Sequence, residues 1–237
     1  MLVILDTRAP KQAHEALKAQ GNTVLCLPPH PLLPEPTCSH PDMLLFFAPD
    51  AIYTTKSYQC IAHTELTYLE GICKRPLRLV DEEPGCTYPK DILLNALPLG
   101  KHLFCNTKHI AHALRTHEFY RLCHVNQGYA KCSAIPLGSS ALITADPSIA
   151  TAAKQIGADT LLVSAGSVEL AGYDYGFLGG CTSFAPYGST DRILFCGALD
   201  AHPDAKRVRD FCKAHGFATV SLGDFPLTDV GTIFLIE

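Results

Sequence analysis

Apolar residues along the chain fall into short runs separated by amphipathic stretches, and one stretch shows the arrangement most clearly. Residues 133–144 form two apolar runs joined by a Pro-Leu-Gly turn. The next apolar positions recur at the spacing of one helix face: Ile149, Ala152, Ala153 and Ile156. Asp146 and Pro147 suit the start of that helix, and Gly157 suits its end. A further apolar run at residues 161–163 completes a predicted strand–strand–helix–strand unit.

The same unit recurs along the chain, with a proline between its first two predicted strands. Residues 95–105 align with residues 133–143, and weaker copies begin at residues 46 and 183. The marker prolines are Pro49, Pro98, Pro136 and Pro186, which lie 49, 38 and 50 residues apart. Repetition of one supersecondary unit is typical of arrays and rings.

The predicted elements group into five units. The strands are predicted at residues 2–5, 23–27, 44–47, 52–54, 77–80, 92–97, 102–105, 119–125, 177–184, 192–196, 218–222 and 231–236, besides those of the unit above. The other helices are predicted near residues 10–20, 61–69, 108–115 and 203–215. We call the first strand of each unit its front strand. The first unit along the chain lacks a front strand, and residues 231–236 supply it. Joining the two ends in this way closes the units into a ring without unpaired edges. We therefore predict a single domain over residues 1–237.

An open, doubly wound α/β sheet is the alternative fold. The run at residues 2–5 could begin such a sheet, and its strands alternate with helices. However, no Gly-rich phosphate-binding turn follows a predicted strand, and two predicted strands precede each helix. Both observations favour the ring.

Composition and charge narrow the function classes. Apolar residues make up 47% and charged residues 18% of the chain, which predicts a substantial buried core. The net charge of −4 gives no basic footprint for nucleic acid, and no apolar run is long enough for a membrane span. Eleven cysteines without a secretory signal predict reduced thiols and a cytoplasmic protein. No Cys-x-x-Cys pair is present, so we predict no metal site and no cofactor.

The repeat resembles the pentein, or guanidino-group-modifying enzyme, fold, with a bacterial branch of that superfamily as the nearest likeness. The motifs that carry the resemblance are His40-Pro-Asp-Met43, Gly128-Tyr-Ala-Lys-Cys-Ser133, Tyr175-Gly-Phe-Leu-Gly-Gly180 and His202-Pro-Asp204. The resemblance implies an α/β fold, a five-bladed pentein α/β propeller of pseudo-fivefold strand–strand–helix–strand units closed by the N- and C-terminal strands. In the resembled enzymes a cysteine thiolate attacks a guanidinium carbon, a His in a His-x-Asp motif moves protons, and carboxylates hold the guanidinium.

The resemblance also implies where the functional groups lie, namely where the first strand of each unit meets the central axis. Those positions hold His40 and Asp42, Asn95, Lys131 and Cys132, Gly180 and Cys181, and Asp229. By resemblance, His40 is the acid–base and Asp42 a guanidinium ligand, and Asn95, Lys131 and Asp229 are further substrate-binding residues. A loop histidine with a helix-capping aspartate is the alternative interpretation. His202-Pro-Asp204 has the same letters at a predicted helix start, where we expect both residues outside the pocket.

Two cysteines compete for the role of nucleophile. Cys132 lies two units beyond the His-x-Asp unit, as the family order requires. Cys181 follows a Gly-Gly pair, as the family cysteine often does, but it lies one unit further on. A buried structural thiol is the alternative for both. If the chemistry is retained, we expect Cys132 to line the pocket with a pKa lowered by positive charge or hydrogen-bond donors.

Two departures from the family pattern leave the function open. The His-x-Asp motif lies in the first fifth of the chain, and the last unit carries Asp229 where the family has its cysteine. One hypothesis is a cysteine-dependent hydrolase or amidinotransferase-like enzyme acting on a small guanidine or amino-acid-like molecule, such as arginine, agmatine or a methylated arginine. Its spare carboxylates would be Glu169, Asp174 and Asp229, and its aromatic rim Tyr173, Tyr175 and Phe177.

The other hypothesis is a non-catalytic pentein-fold binding protein, since fold alone does not fix function. Convergence of His40, Asp42, Cys132 and Asp229 on one pocket would favour the enzyme. A central channel filled by apolar side chains would favour the binding protein.

Overall fold

A computed structural model describes residues 1–188 and 190–237. The strands in these residues are β1 (Leu2–Asp6), β2 (Thr23–Leu27), β3 (Phe46–Phe47), β4 (Ile52–Thr55), β5 (Leu77–Val80), β6 (Leu97–Leu99), β7 (His102–Cys105), β8 (Arg121–His124), β9 (Ala134–Leu137), β10 (Ala141–Thr144), β11 (Asp159–Leu162), β12 (Ser183–Phe184), β13 (Arg192–Phe195), β14 (Ala218–Ser221) and β15 (Ile233–Ile236). The helices are α1 (Lys11–Ala19), α2 (Pro41–Leu44), α3 (Lys56–Ile61), α4 (His63–Cys73), α5 (His112–Arg115), α6 (Pro147–Gln155) and α7 (Ala205–Ala214). Within the described part of the chain, no helix has the length and apolar character needed to cross a membrane.

The strands form five sheets that share a connection pattern. In three sheets an antiparallel pair is followed by a helical connection to a parallel strand: β3-β4-β5, β6-β7-β8 and β9-β10-β11. In a fourth, the parallel strands β13 and β14 are joined through α7. Parallel neighbours need such a crossover because a tight turn can join only antiparallel strands.

The fifth sheet joins the two ends of the chain. Its order is β12-β15-β1-β2, in which β15 runs antiparallel to β1 and β1 runs parallel to β2. The predicted pairing of residues 2–5 with the C-terminal strand is therefore confirmed. Strand β15 also pairs with β12, which precedes β13, so the first and last units share one sheet. Strand pairing among the described residues does not close the five sheets into a continuous ring.

The unit at residues 133–162 forms as its sequence predicts. The Asp146 carboxylate accepts hydrogen bonds from the backbone N–H groups of Ser148 and Ile149 at 2.8 and 3.0 Å, which caps α6. Gly157 follows that helix with a φ of 79°, a left-handed conformation that glycine adopts without a Cβ clash.

Three predicted front strands are shorter than expected because turns replace their first residues. Pro41 suits a first helical turn, so residues 41–44 form α2 and only Phe46 and Phe47 form a strand. The N–H of Asn95 bonds to the Ile92 carbonyl at 3.1 Å, and the next strand begins only at Leu97. Residues 178–181 likewise form a turn before β12.

Two predicted helices also differ from expectation. The predicted helix at residues 61–69 is part of two helices, α3 and α4, which meet at Ala62. The predicted helix at residues 108–115 is confined to residues 112–115, because the N–H groups of His109 and Ile110 both bond to the Asn106 carbonyl in a preceding turn.

Strand β15 is an inner strand of the fifth sheet, and its residue Phe234 packs against other aromatic rings. Phe234 is 3% exposed, and its ring centroid lies 4.7 Å from that of Phe47 and 6.1 Å from that of Phe184. Phe184 belongs to the neighbouring strand β12 of the same sheet, and Phe47 belongs to β3 of another sheet, so Phe234 packs within its own sheet and against a second one.

We predict that Phe234→Ala lowers the free energy of unfolding by about 3–5 kcal/mol, because it leaves a cavity among these rings. Phe119→Ala is the matched control, since Phe119 is 42% exposed, and it should cost less than about 1 kcal/mol. Urea unfolding followed by circular dichroism measures both values. Equal losses in the two variants would contradict this account of the sheet.

Candidate functional site

Five segments lie just before front strands, and a closed cycle of hydrogen bonds links them. The links are Asp42 N–H to the Gly231 carbonyl (3.1 Å), Asn95 Nδ2 to Asp42 Oδ1 (3.2 Å), Lys131 N–H to Asn95 Oδ1 (2.8 Å), Gly180 N–H to the Cys132 carbonyl (2.7 Å), and Val230 N–H to the Gly180 carbonyl (3.2 Å). These are the segments that the sequence singled out, and we call this arrangement the hydrogen-bonded cycle. It brings together in the interior polar groups from segments that lead into four of the five sheets, because β12 and β15 belong to the same sheet.

Cys132 lies among buried polar groups on this cycle. Its Sγ lies 3.2 and 3.1 Å from the two carboxylate oxygens of Asp42, to which the thiol donates. The Asn95 amide donates to the same sulfur at 3.2 Å. The Thr232 hydroxyl donates to Asp42 Oδ2 at 2.7 Å, so the carboxylate is held from several sides. The thiol is therefore both a donor and an acceptor in this arrangement.

The surroundings of Cys132 disfavour its thiolate. Burial raises the pKa of Cys132 well above that of a free cysteine, and the Asp42 and Asp229 carboxylates raise it further. Only the Asn95 amide acts in the opposite direction. The expected lowering of this pKa is therefore wrong for the ligand-free protein, because the nearest charges are negative.

His40 is buried between two carboxylates. Its Nε2 lies 3.5 Å from Asp6 Oδ2, and its Nδ1 lies 3.9 Å from Asp229 Oδ1. Within the described part of the chain, Nδ1 has no hydrogen-bond partner. Gly231 packs against this histidine so closely that a Cβ at position 231 would clash with it, and its φ of 62° also suits glycine. The ring is thus held tightly while one nitrogen is unpaired.

The Asp229 carboxylate is fixed by the backbone. The N–H of Phe177 donates to Oδ2 at 2.8 Å, and the N–H of Gly231 donates to Oδ1 at 3.0 Å. Burial raises the pKa of Asp229, while His40 and these two N–H groups oppose the rise. A side chain at Gly180 would clash with this carboxylate.

A pocket of about 220 Å³ opens beside these groups. His40, Cys132 and Asp229 all line it. The predicted aromatic rim also lines it, since Tyr173, Tyr175 and Phe177 contribute to its wall. A ring nitrogen of His40, a carboxylate oxygen of Asp42 and Sγ of Cys132 lie within 4.8 Å of one another. That separation leaves His40 close to the sulfur without a direct hydrogen bond to it.

Three predicted substrate-binding residues lie behind Cys132 instead of lining this pocket. Asp42 and Asn95 contact the sulfur from within the cycle. Lys131 lines a different, much smaller cavity, where its Nζ donates to Thr232 Oγ1 at 3.1 Å. Burial lowers the pKa of Lys131, although Asp42 and Cys132 oppose the shift. These three side chains are therefore not positioned to contact a ligand in the larger pocket directly.

The alternative nucleophile, Cys181, lies in the apolar core. It is fully buried, and its thiol donates to the Leu178 carbonyl at 3.1 Å. Burial raises its pKa well above that of a free cysteine. Cys181 is not among the residues that line the pocket in the described structure, so its position does not support it as nucleophile.

The second His-Pro-Asp triplet is only partly as predicted. Asp204 directly precedes α7, and its carboxylate accepts hydrogen bonds from Ser164 N–H at 2.7 Å and Arg207 Nη1 at 2.6 Å. These donors lower the pKa of Asp204 to about 2. His202 does not line the pocket that holds Cys132, as expected, but it is 3% exposed and lines a neighbouring pocket instead of lying at the surface. Its Nδ1 accepts from the Asp204 N–H at 3.0 Å, which turns the ring inward.

Sequence reasoning missed several buried polar groups beside the pocket. Asp6 faces His40, and Thr232 holds Asp42. Tyr129 lines the pocket and donates from its hydroxyl to Asp91 Oδ2 at 2.5 Å, and burial raises the pKa of Asp91. Asp6 ends a wholly apolar run, and a carboxylate in that position is the signal that could have identified it.

His40, Asp42 and Cys132 also have the donor types and the spacing that can hold a transition-metal ion. Metal binding there would replace the thiol–carboxylate hydrogen bond, because both groups would become ligands. The absence of a metal and of a cofactor stays a prediction.

Comparison with known proteins gives a family and a fold. The family model of DUF6873, described as a family of unknown function, matches residues 4–234. No curated protein matches the chain. Among solved structures, a mutant of DDAH from Pseudomonas aeruginosa complexed with citrulline aligns with a TM-score of 0.57 and 10% identity over 93% of this chain and 91% of that one. The amidinotransferase SxtG from Microseira wollei, of the saxitoxin biosynthetic pathway, aligns with a TM-score of 0.48 and 12% identity over 93% and 87% of the two chains. The alignment with DDAH confirms the predicted resemblance to the pentein fold.

Gly180→Ala tests the packing around Asp229. The added Cβ would force the carboxylate from its backbone donors, so we expect a loss of about 2 kcal/mol or more in the free energy of unfolding. Gly71→Ala is the matched control, because its Cβ would meet nothing within 4 Å in α4, and it should stabilise the protein by roughly 0.5–1 kcal/mol. Chemical unfolding measures both. A neutral Gly180→Ala would show that Asp229 is not held as described.

Asp42→Asn tests the electrostatic control of Cys132. Removal of the negative charge should lower the pKa of the thiol, and each unit of lowering raises alkylation below that pKa about tenfold. The measurement is iodoacetamide labelling of Cys132 at pH 8, followed by peptide mapping. Exposed Asp224→Asn should leave the rate unchanged. Slower labelling of Cys132 in correctly folded Asp42→Asn would contradict the assigned cause.

Proposed function

The chain belongs to the DUF6873 family, a family of unknown function, and we propose that it is a cysteine-dependent hydrolase or amidinotransferase-like enzyme acting on a small guanidine. Cys132 is the nucleophile and His40 the acid–base. The observation that carries the proposal is that Cys132, His40 and Asp229 line one pocket although they come from three sheets. Three of the four residues whose convergence would favour the enzyme thus line one pocket, and the fourth, Asp42, lies behind Cys132.

The pocket has the groups that a guanidinium ion needs. Asp229 presents a buried carboxylate, and Tyr129, Tyr175 and Phe177 present aromatic surface to a planar cation. The backbone holds the Asp229 carboxylate in place, so little reorganisation is needed when the cation binds. Asp42, behind Cys132, positions the sulfur and accepts its proton in a hydrogen bond.

The proposed first step forms a C–S bond and breaks a C–N bond. The Cys132 sulfur attacks the guanidinium carbon, and the departing nitrogen leaves as an amine or ammonia. The thiol proton is transferred, through Asp42 or His40, to that nitrogen. The product is a thiouronium adduct on Cys132. In a hydrolase, water then attacks the same carbon, His40 accepts the water proton, and a urea and the thiol are released; in a transferase, an amine takes the place of water.

Substrate binding itself favours the reactive thiolate. In the ligand-free protein, two carboxylates and burial hold the thiol in its protonated form. A guanidinium beside the sulfur places a positive charge near it and offsets those carboxylates, so the pKa falls as the substrate binds. The resting thiol is thus protected from adventitious alkylation and oxidation.

The hydrogen-bonded cycle supports a more detailed proposal for how the five sheets are arranged. We propose that the five sheets are blades of one propeller around a pseudo-fivefold axis, within a single domain. Five segments linked head to tail around one buried site fit such an axis. The eleven free cysteines of the structure support a reducing, cytoplasmic setting.

The alternative, a non-catalytic binding protein, is favoured by one observation. The Cys132 thiol already donates to Asp42 and accepts from Asn95, as a structural thiol would. The same pocket would then bind its ligand without a covalent step. Chemical reactivity separates the two functions.

The first test compares two electrophiles of the same shape. Chloroacetamidine is a cation that resembles a guanidinium, and chloroacetamide is its neutral counterpart. We expect chloroacetamidine to alkylate Cys132 faster than chloroacetamide, by a ratio that exceeds the ratio for free cysteine about tenfold or more. Asp229→Asn should bring that ratio towards the value for free cysteine. Intact mass and peptide mapping measure the rates.

The second test is turnover of agmatine, arginine and methylated arginines, measured as the urea-type product or the released amine. Cys132→Ser should lower the rate by about a thousandfold or more, and His40→Gln by roughly a hundredfold or more. Cys181→Ser is the matched control and should stay active, and incubation with a chelator should leave activity unchanged. No turnover, together with no preference of Cys132 for the cation, would leave the binding protein as the function.

A further inference from the structure

The charges around the pocket are distributed unevenly. Asp229 and Asp174 line it, and Asp42 touches Cys132 from behind. Asp91 adds a further buried carboxylate behind Tyr129, and one of its oxygens has no partner among the described residues. Apart from His40, no basic side chain lines the pocket in the described parts of the chain. Carboxylates thus outnumber basic groups around the pocket, which favours a cationic ligand.

Two basic side chains lie next to lining residues, but other groups already engage them. Arg8 donates to Asp6, Ser39 and the backbone carbonyls of Glu35 and Pro36. All of its donor nitrogens are used in these bonds, so its charge is compensated locally. The Lys131 Nζ donates to Thr232 in the smaller cavity. Neither cation is available to a carboxylate in the pocket.

The mouth of the pocket is both acidic and aromatic. Tyr173 and Tyr175 are 48% and 45% exposed, and Asp174 lies between them in the chain. All three line the pocket, whose inner wall carries His40 with its unpaired Nδ1. A carboxylate next to aromatic rings suits an ammonium group, because charge attraction and cation–π contacts add.

We infer that the pocket selects a guanidine whose far end is a second cation, and that it discriminates against a carboxylate at that end. This inference rests on the proposed function and names the substrate class of the same site. The guanidinium binds at the inner wall beside Cys132 and Asp229, and the second cation lies at the mouth against Tyr173, Asp174 and Tyr175. An α-amino-acid guanidine is disfavoured because its carboxylate meets no free cation and lies in the field of several carboxylates.

The test measures binding of four guanidines to Cys132→Ser, which cannot form the adduct. Agmatine, butylguanidine, arginine and 5-guanidinopentanoate share a guanidine on an alkyl chain and differ in the group at the far end. Isothermal titration should give the tightest binding for agmatine, about threefold to tenfold tighter than butylguanidine. Arginine should bind more weakly than butylguanidine, and 5-guanidinopentanoate weakest of all. High salt should reduce these differences.

A matched pair of variants assigns the preference to the mouth. Asp174→Asn, made in Cys132→Ser, should weaken agmatine binding about threefold and leave butylguanidine binding unchanged. Asp224→Asn makes the same change at an exposed residue that does not line the pocket, so both affinities should stay as they were.

The outcomes separate this inference from the proposed function. If all four guanidines bind, but arginine or 5-guanidinopentanoate binds as tightly as agmatine, the charge preference is overturned while the guanidine site stands. Equal effects of Asp174→Asn and Asp224→Asn would overturn the role of the mouth. If none of the four binds, the guanidine site itself is wrong, and this inference falls with it.

Discussion

The Asp42 carboxylate is the group on which the rest of the structure depends. A buried charge is costly unless hydrogen bonds compensate it. Asp42 accepts from Thr232, Cys132 and Asn95, which come from three different sheets. A buried polar network fixes one arrangement only when its members are satisfied, because any shift leaves a donor or acceptor unpaired. The hydrogen bonds that compensate this carboxylate thus fix the relative positions of the segments that supply them. The same hydrogen bonds position the Cys132 sulfur.

The same buried carboxylates therefore contribute both to the fold and to the proposed chemistry. The carboxylates that order the interior also keep the Cys132 thiol protonated. A cationic ligand would offset those carboxylates locally, since it would place a positive charge beside the sulfur. In the function that we propose, reactivity is therefore linked to binding, because the thiol is activated when a cationic ligand lies beside it. Perturbed titrating groups in a cleft are typical of functional sites, and Asp229 and Cys132 both qualify.

Glycines allow the close approach that this interior requires. Gly180 lies against the Asp229 carboxylate, and Gly231 lies against His40. A larger residue at either position would push a polar group out of its hydrogen bonds, and the cost would be both in packing and in unsatisfied polar atoms. The tight packing at the inner wall contrasts with the exposed tyrosines at the mouth. In our proposal the mouth of the pocket determines most of the specificity, because ligands of different length and charge make different contacts there.

The sequence by itself determined the repeating unit, since apolar spacing, the Asp146 cap and the Gly157 stop are local signals and all appear in the structure. Pairing of the two chain ends also followed from it, because a unit without its front strand must take one from elsewhere. Only the tertiary structure decided which polar residues share a pocket. The turn before β9 sends Lys131 and Cys132 into different cavities, and a hydrogen bond from the Asp204 N–H holds His202 toward a third pocket. The pKa of Cys132 could not be predicted from the sequence for the same reason. Electrostatic effects depend on distance and burial, and neither is encoded in the spacing of residues along the chain.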